Sequence, residues 1–191
     1  IAQTEERLPY PLFVKPANLG SSVGVSKCRN SAELMDGLAE AVQYDRRILV
    51  EQGIDAREIE VSVLGNENPR VSIPGEVRPG AEFYTYAAKY LDDNTELIIP
   101  APVDPGLARQ IQETALKACK LVDCAGMARV DFLLDRQTGE LYLNEVNTIP
   151  GFTSISMYPK LWQASGLSFA GLVDRLVELA LERHEDKSRS E

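Results

Sequence analysis

Histidine occurs once in the chain, at His184 on the polar side of the last helical stretch, where it reads as a surface residue. Cysteine is scarce too. Cys28, Cys119 and Cys124 are odd in number and lack metal-ligand spacing, and the latter two fall in a helical stretch as small core residues. Nothing about them requires an oxidising compartment, so the expected location is cytoplasmic. No apolar run approaches the roughly 18 residues needed to span a bilayer. The opening IAQTEERLPYPL is neither a signal nor a transit peptide. It lacks an initiating Met and a strand follows almost at once, so an internal start is expected. Internal repeats and low-complexity segments are missing as well. Basic residues are the minority, 20 Lys and Arg against 29 Asp and Glu, a net charge of −9. Such a surface disfavours nucleic acid and anionic membrane as partners, since both are polyanions, without excluding a small anion in a locally basic cleft.

What is present is a chain of 191 residues with 44% hydrophobic content, enough for one good core or for one domain plus a piece of another. Pro11 precedes a short strand, LFVK, ending at Lys15, and the small-residue stretch PANLGSSVGVS must then be a loop. Asn30 and Glu33 fit a capping box, and Leu34, Leu38 and Val42 continue that helix as an apolar stripe. RRILVEQ is a strand. EIEVSVLG alternates as a strand and pairs with RVSIPGEVR across an Asn-rich turn. Residues 79–95 form a long polar and aromatic loop, of the kind that is usually functional. ELIIPAPV is a strand, and a helix runs from Pro105 to about Leu121. MARVDFLLD and ELYLNEVN are strands joined by RQTG, and TIPGFTS is a Pro-Gly loop. A short helix near 158–164 and an amphipathic one over about 169–183 follow, the second with Leu172, Leu176, Leu179 and Ala180 inward. The tail after it is expected to fray. Hairpins with flanking helices make an α+β fold.

The hairpin 127–147 carries the most chemistry. Side chains alternate along a strand. Met127, Arg129, Asp131 and Leu133 therefore share one face of the first strand, and Leu141, Leu143, Glu145 and Asn147 one face of the second. A turn near 137–139 places Asp131 opposite Glu145 and Arg129 opposite Asn147. Facing carboxylates repel unless a cation sits with them, and an oxygen-only set suits magnesium. The competing reading is a surface salt-bridge cluster around Arg129. The Pro-Gly loop directly after Asn147 weighs against it, because a glycine N–H there can approach a reacting carbonyl.

Two further features are weaker. Lys15 at a strand end precedes Gly20-Ser21-Ser22-Val23-Gly24, whose backbone N–H groups and serines suit phosphate. The lysine comes before the glycines, so this is not a P-loop, and an ordinary flexible turn is the alternative. Lys89, with Tyr84, Tyr86 and Tyr90 nearby, suits closure over an anion, and a plain solvated loop fits equally well.

Taken in order, VKPANLGSSVGVSK, EIEVSVLG, AAKYLDDNTEL, ARVDFLLD and LNEVNTIPGFTSISMYP resemble the D-alanine–D-alanine ligases of the ATP-grasp family across nearly the whole chain. The resemblance implies an α+β ATP-grasp fold, with 1–50 the remainder of the small lid subdomain and 51–191 the large C-terminal domain. It implies that ATP meets Lys15, Ser21, Ser22, Glu51, Ile54, Glu58 and Lys89, and that Asp131, Glu145 and Asn147 ligate magnesium or manganese. Arg129 and Gly151 would stabilise the oxyanion, Ser156 and Met157 would hold the carboxylate of the second D-alanine, and the Tyr90 hydroxyl would bond to Ser21 and keep the lid shut.

The implied reaction phosphorylates one D-alanine and joins it to a second through an acylphosphate, for peptidoglycan. Phosphoryl transfer of this kind needs charge neutralisation and a site closed to water. The implied partners are ATP and D-alanine, and the parent protein would be a homodimer. A D-alanine–D-lactate or D-alanine–D-serine ligase and an inactive nucleotide-binding fragment are the alternatives, and Tyr90 argues against the lactate type. The family's further N-terminal domain, with the first D-alanine site, and an additional ATP-binding lysine have no match here, so these 191 residues alone are expected to be inactive.

Overall fold

The computed structural model describes residues 1–20, 22–78 and 95–188. Expectations for Ser21, Lys89, Tyr90 and the rest of 79–94 lie outside the described residues. The chain forms two compact units, one of Ile1–Asp55 and a second of Ala56–Arg78 together with the residues from Glu96 onward. The strand that contains positions 50 and 51 belongs wholly to the first unit.

In the first unit a short helix α1 (Ala2–Glu5) precedes a three-stranded antiparallel sheet of β1 (Leu12–Pro16), β2 (Ser26–Cys28) and β3 (Ile48–Gln52), with β1 in the middle. Helix α2 (Ser31–Ala41) covers one face. Leu12 and Val14 alternate inward and meet Cys28, Leu34 and Ala41 in a small core. Gly37 lets the helix come close, since a Cβ there would stand 3.0 Å from Cys28 Sγ. The expected stripe is corrected at its end. Ala41 is buried while Val42 is 57% exposed. Seven residues bring a helix back to within about 20° of the same direction, whereas eight leave it about 80° away. The cap is also subtler than a plain capping box. Asn30 Oδ1 accepts the Glu33 N–H at 3.0 Å, but the Glu33 carboxylate accepts from the Arg29 N–H at 2.8 Å.

The second unit is an antiparallel sheet in the order β7-β6-β4-β8-β9, with β5 also on β4. Its strands are β4 (Ala56–Gly65), β5 (Arg70–Val71), β6 (Gly75–Arg78), β7 (Glu96–Ile98), β8 (Gly126–Asp135) and β9 (Leu141–Asn147). The stretch expected as one strand, RVSIPGEVR, is split into β5 and β6 around Pro74, which has no N–H to give the ladder. Helix α3 (Pro105–Leu121) begins at Asp104, whose carboxylate accepts from the N–H groups of Gly106 and Leu107. Ile111, Ala115 and Cys119 of α3 pack on Ile59, Val61, Val63, Ala128, Val130 and Phe132. Burial pushes the Cys119 thiol up to about 12, in keeping with a core role, whereas Cys124 lies beyond the helix end.

On the opposite face lie α4 (Met157–Ala164) and α5 (Phe169–Ser188). Tyr158 and Trp162 pack with Leu64, Leu172 and Leu179. Ser62 Oγ donates to the Tyr158 carbonyl at 3.1 Å, and Tyr158 Oη donates to the Val63 carbonyl at 3.0 Å. Helix α5 is five residues longer than expected, and Ala180 is exposed rather than inward. His184 is exposed on it. Beyond Ser62 this face carries Glu60 and Asp131, and the candidate site lies there.

Candidate active site

β4 and β8 pair over their whole length, with Glu60 opposite Asp131 and Ser62 opposite Arg129. On the other side of β8, Asp131 stands opposite Glu145 and Arg129 opposite Asn147, the expected register. The alternation that sends Val130 and Phe132 into the α3 core turns Arg129 and Asp131 to the opposite face of the sheet.

One detail of the hairpin is corrected. A bulge lies where Phe132 pairs with Leu143 while Asp131 pairs with Glu145, leaving Asn144 as the extra residue. Leu141 and Val146 pack against the α3 core. Leu141 and Leu143 thus do not share a face with Glu145 and Asn147, because the extra residue shifts the period by one.

Four of the expected side chains meet. Arg129 makes a two-pronged contact with Asp131, Nε to Oδ1 and Nη2 to Oδ2, each 2.7 Å. Asn147 Nδ2 donates to Asp131 Oδ2 at 3.0 Å and to Glu145 Oε1 at 3.1 Å. A fifth group, not anticipated from the sequence, is Glu60, whose Oε2 forms an ion pair with Arg129 Nε at 3.0 Å. Its signal lay in EIEVSVLG, where alternation puts Glu58, Glu60 and Ser62 on the face opposite Ile59, Val61 and Val63.

The electrostatics are those of three carboxylates around one guanidinium. Burial works against the Arg129 charge, but the Asp131 hydrogen bonds and the fields of Glu60, Asp131 and Glu145 outweigh it and hold its pKa above the ordinary value. Burial raises the Asp131 pKa, Arg129 opposes the rise, and Glu145 adds to it.

Beyond β9 the chain turns back on itself. Ser156 Oγ accepts the Thr153 N–H at 3.1 Å and lies 2.8 Å from Thr153 Oγ1. A Cβ on Gly151 would stand 3.2 Å from Ser156 Oγ, so these two predicted positions are close neighbours. Ser156 is the N-cap of α4, yet its side chain makes no cap hydrogen bond. The Met157 side chain is buried, leaving its backbone as the part that can meet a ligand.

Glu58 lies on β4 opposite Leu133 and Val77. In the first unit, Lys15 Nζ pairs with a Glu51 carboxylate oxygen at 2.8 Å. Ile54 is half-buried in the segment after β3, and Ser22 has a left-handed backbone with φ +59°. Gly24 has φ +69°, and a Cβ there would stand 2.6 Å from Tyr44 Cδ2. Its small size thus serves contact with Tyr44. Among the described residues, no three or more His, Cys, Asp or Glu side chains group as a metal site.

Residues 1–178 match the family model described as D-ala D-ala ligase C-terminus. The chain belongs to that family. It is 60% identical over 185 residues to the D-alanine--D-alanine ligase of Thermoanaerobacter sp. (strain X514), covering 96% of this chain and 52% of that protein. It is 56% identical over 191 residues to the enzyme of the same name from Listeria monocytogenes, covering 98% and 51%. The D-alanine-D-alanine ligase of Coxiella burnetii superposes with a TM-score of 0.86 at 40% identity, over 98% of this chain and 49% of that one. The VanG D-Ala:D-Ser ligase of Enterococcus faecalis superposes with a TM-score of 0.83 at 37% identity, over 93% and 52%. The fold is therefore the α+β ATP-grasp fold of these ligases. The chain spans about half the length of the curated relatives it matches.

Proposed function

We propose that the protein acts in the ATP-dependent joining of two D-alanines through an acylphosphate. The observation that carries this reading is the convergence of Arg129, Asp131, Glu145 and Asn147 on one face of β8 and β9, in a chain of this family. On this reading Asp131, Glu145 and Asn147 hold magnesium or manganese. The donor chemistry fits, because Asp131 and Glu145 are hard oxygen donors gathered on one amide, and a half-turn of the Asn147 amide presents Oδ1 where Nδ2 now points. When bound, the ion neutralises phosphate charge.

The chain's own groups then have definite tasks. Arg129 keeps its full charge, and its outer N–H groups point away from Asp131 toward an oxyanion. The Gly151 N–H is the second donor. The uncapped start of α4, at Ser156 and Met157, receives the carboxylate of the second D-alanine. Lys15, Ser22, Glu51, Ile54 and Glu58 serve ATP, together with Ser21 and Lys89, and Tyr90 holds Ser21. For Lys15 to meet phosphate, its pairing with Glu51 opens. A cytoplasmic place, a homodimer, and no nucleic-acid or membrane partner belong to the same reading. Among the described residues no helix is long and apolar enough to cross a membrane.

The test is D-alanine-dependent ADP release with dipeptide detected by mass, run on the natural gene product that contains this sequence. D-serine and D-lactate offered with D-alanine separate the three ligase types. ADP release indifferent to D-alanine would overturn the reading.

A further inference from the structure

Glu60 is no member of the residue set that the resemblance implies, yet it is one of the most enclosed charges of the second unit. It is 9% exposed, faces Asp131 across the β4–β8 ladder, and places Oε2 3.0 Å from Arg129 Nε. A buried carboxylate is costly unless paired, and Arg129 is a partner of Glu60 by charge, its one Nε–H being donated to Asp131 Oδ1. We infer that Glu60 is a positioning residue for Arg129, holding the inner edge of the guanidinium so that its outer edge stays aimed while Asp131 is engaged elsewhere.

The geometry supplies the argument. A guanidinium offers five N–H donors in a rigid planar fork. Nε and one N–H of Nη2 are committed to Asp131, which leaves three N–H groups not given to it. Asp131 alone is a compromised anchor. Both its oxygens accept from Arg129, Oδ2 accepts from Asn147 as well, and Glu145 stands directly opposite. Anything drawn to the Asp131–Glu145 pair therefore competes with Arg129 for the same oxygens. Glu60 avoids that competition. It reaches Arg129 from β4, whereas Glu145 and Asn147 approach from β9 on the other side of β8. Its negative charge stays beside Nε whichever way Asp131 is occupied, and so fixes the plane of the fork. What Arg129 acts on rests on the ligase reading, whereas its positioning by Glu60 does not.

The experiment follows the side chain itself. The natural gene product is made with 15N-arginine, and the Arg129 Nε–H resonance is assigned by its loss in Arg129→Lys. In Asp131→Asn this N–H stays ordered, because it turns from the weakened Asp131 acceptor to Glu60 Oε2, which already stands 3.0 Å from Nε. In Glu60→Gln its hydrogen exchange rises about tenfold or more, as expected when a buried charge pair loses one partner. An Nε–H unchanged in Glu60→Gln, or one released by Asp131→Asn alone, would overturn the inference. Should Glu60→Gln fail to fold, as judged by thermal melting, the Asp131→Asn arm decides.

Kinetics give the second readout. Glu60→Gln lowers kcat for D-alanine-dependent ADP release by about tenfold or more with KM for ATP nearly unchanged, and Glu60→Asp recovers part of the loss. A raised KM at unchanged kcat would overturn it. If the wild type shows no D-alanine-dependent release, the ligase reading fails, and the Nε–H measurement still decides the positioning.

Discussion

Glu145 faces Asp131 directly across the β8–β9 ladder, and the Asn147 amide bridges the two carboxylates at 3.1 and 3.0 Å. If this pair holds a divalent cation, Glu145→Gln removes one ligand charge and leaves the shape. The magnesium concentration needed for half-maximal D-alanine-dependent ADP release should rise by more than the roughly 10–100-fold that loss of a mere outer-shell partner costs. A magnesium titration of the variant checks this, and a wild-type profile would refute the ligand assignment.

Removing Asn144 should separate the two halves of β9. The bulge lets Leu141 pack in the α3 core while Glu145 and Asn147 face the site. Without the extra residue, one set must turn to the wrong face. Since Leu141 is held by burial, the expected outcome is a folded protein whose D-alanine-dependent turnover is lost. Retained turnover would show that β9 can re-form its register.

Glu76 makes the second unit sensitive to acid. It is 1% exposed, and Arg57 grips it through Nε at 3.1 Å and Nη2 at 2.8 Å. The Arg57 hydrogen bonds hold its pKa below the ordinary value of 4.5 against the opposing effect of burial, with Arg78 assisting. A folded pKa below the unfolded one means stability that is complete above about pH 4.5 and is lost as pH falls through the folded value. Glu76→Gln should cost about 3 kcal/mol at neutral pH, the low end for a broken buried pair, because Arg57 keeps some solvent contact. Melting curves from neutral to acid pH should then fall less steeply for the variant than for wild type.

Gly24→Ala should destabilise the first unit. The left-handed backbone at φ +69° costs a residue with a Cβ roughly 1–2 kcal/mol, and the contact with Tyr44 adds to that. Among the described residues nothing lies within 4 Å of a Cβ position on Gly20, so Gly20→Ala should change stability by less than about 0.5 kcal/mol. Thermal melting of the two variants side by side checks the contrast.

The sequence was most informative where neighbours along the chain are neighbours in space. The Asp131–Glu145 and Arg129–Asn147 pairings follow from alternation about a short turn, and α3 announces itself through Pro105. The bulge was hidden because Asn144 differs from an ordinary edge-strand residue only through which partners its neighbours choose. Glu60 was missed for a similar reason. Its face was legible in EIEVSVLG, but its place beside Arg129 depends on a pairing that skips β5, β6, β7 and α3. Val42 was misplaced because a stripe read at intervals of four drifts off a helix face that Gly37 and Ala41 hold.

That skipped pairing has a kinetic meaning. β4 and β8 share a ten-residue ladder, and the chain between them must be looped out before its first hydrogen bond can form. Closing so long a loop spends entropy in advance of any contact, which makes this step slow relative to hairpin formation. Arg129, Asp131 and Glu60 all sit in that ladder. The polar cluster is thus assembled only with the centre of the sheet and cannot come apart by itself. Amide hydrogens at Val61, Val130 and Asp131 should exchange only through global opening of the unit, so the pre-organisation of the site has the lifetime of the fold itself.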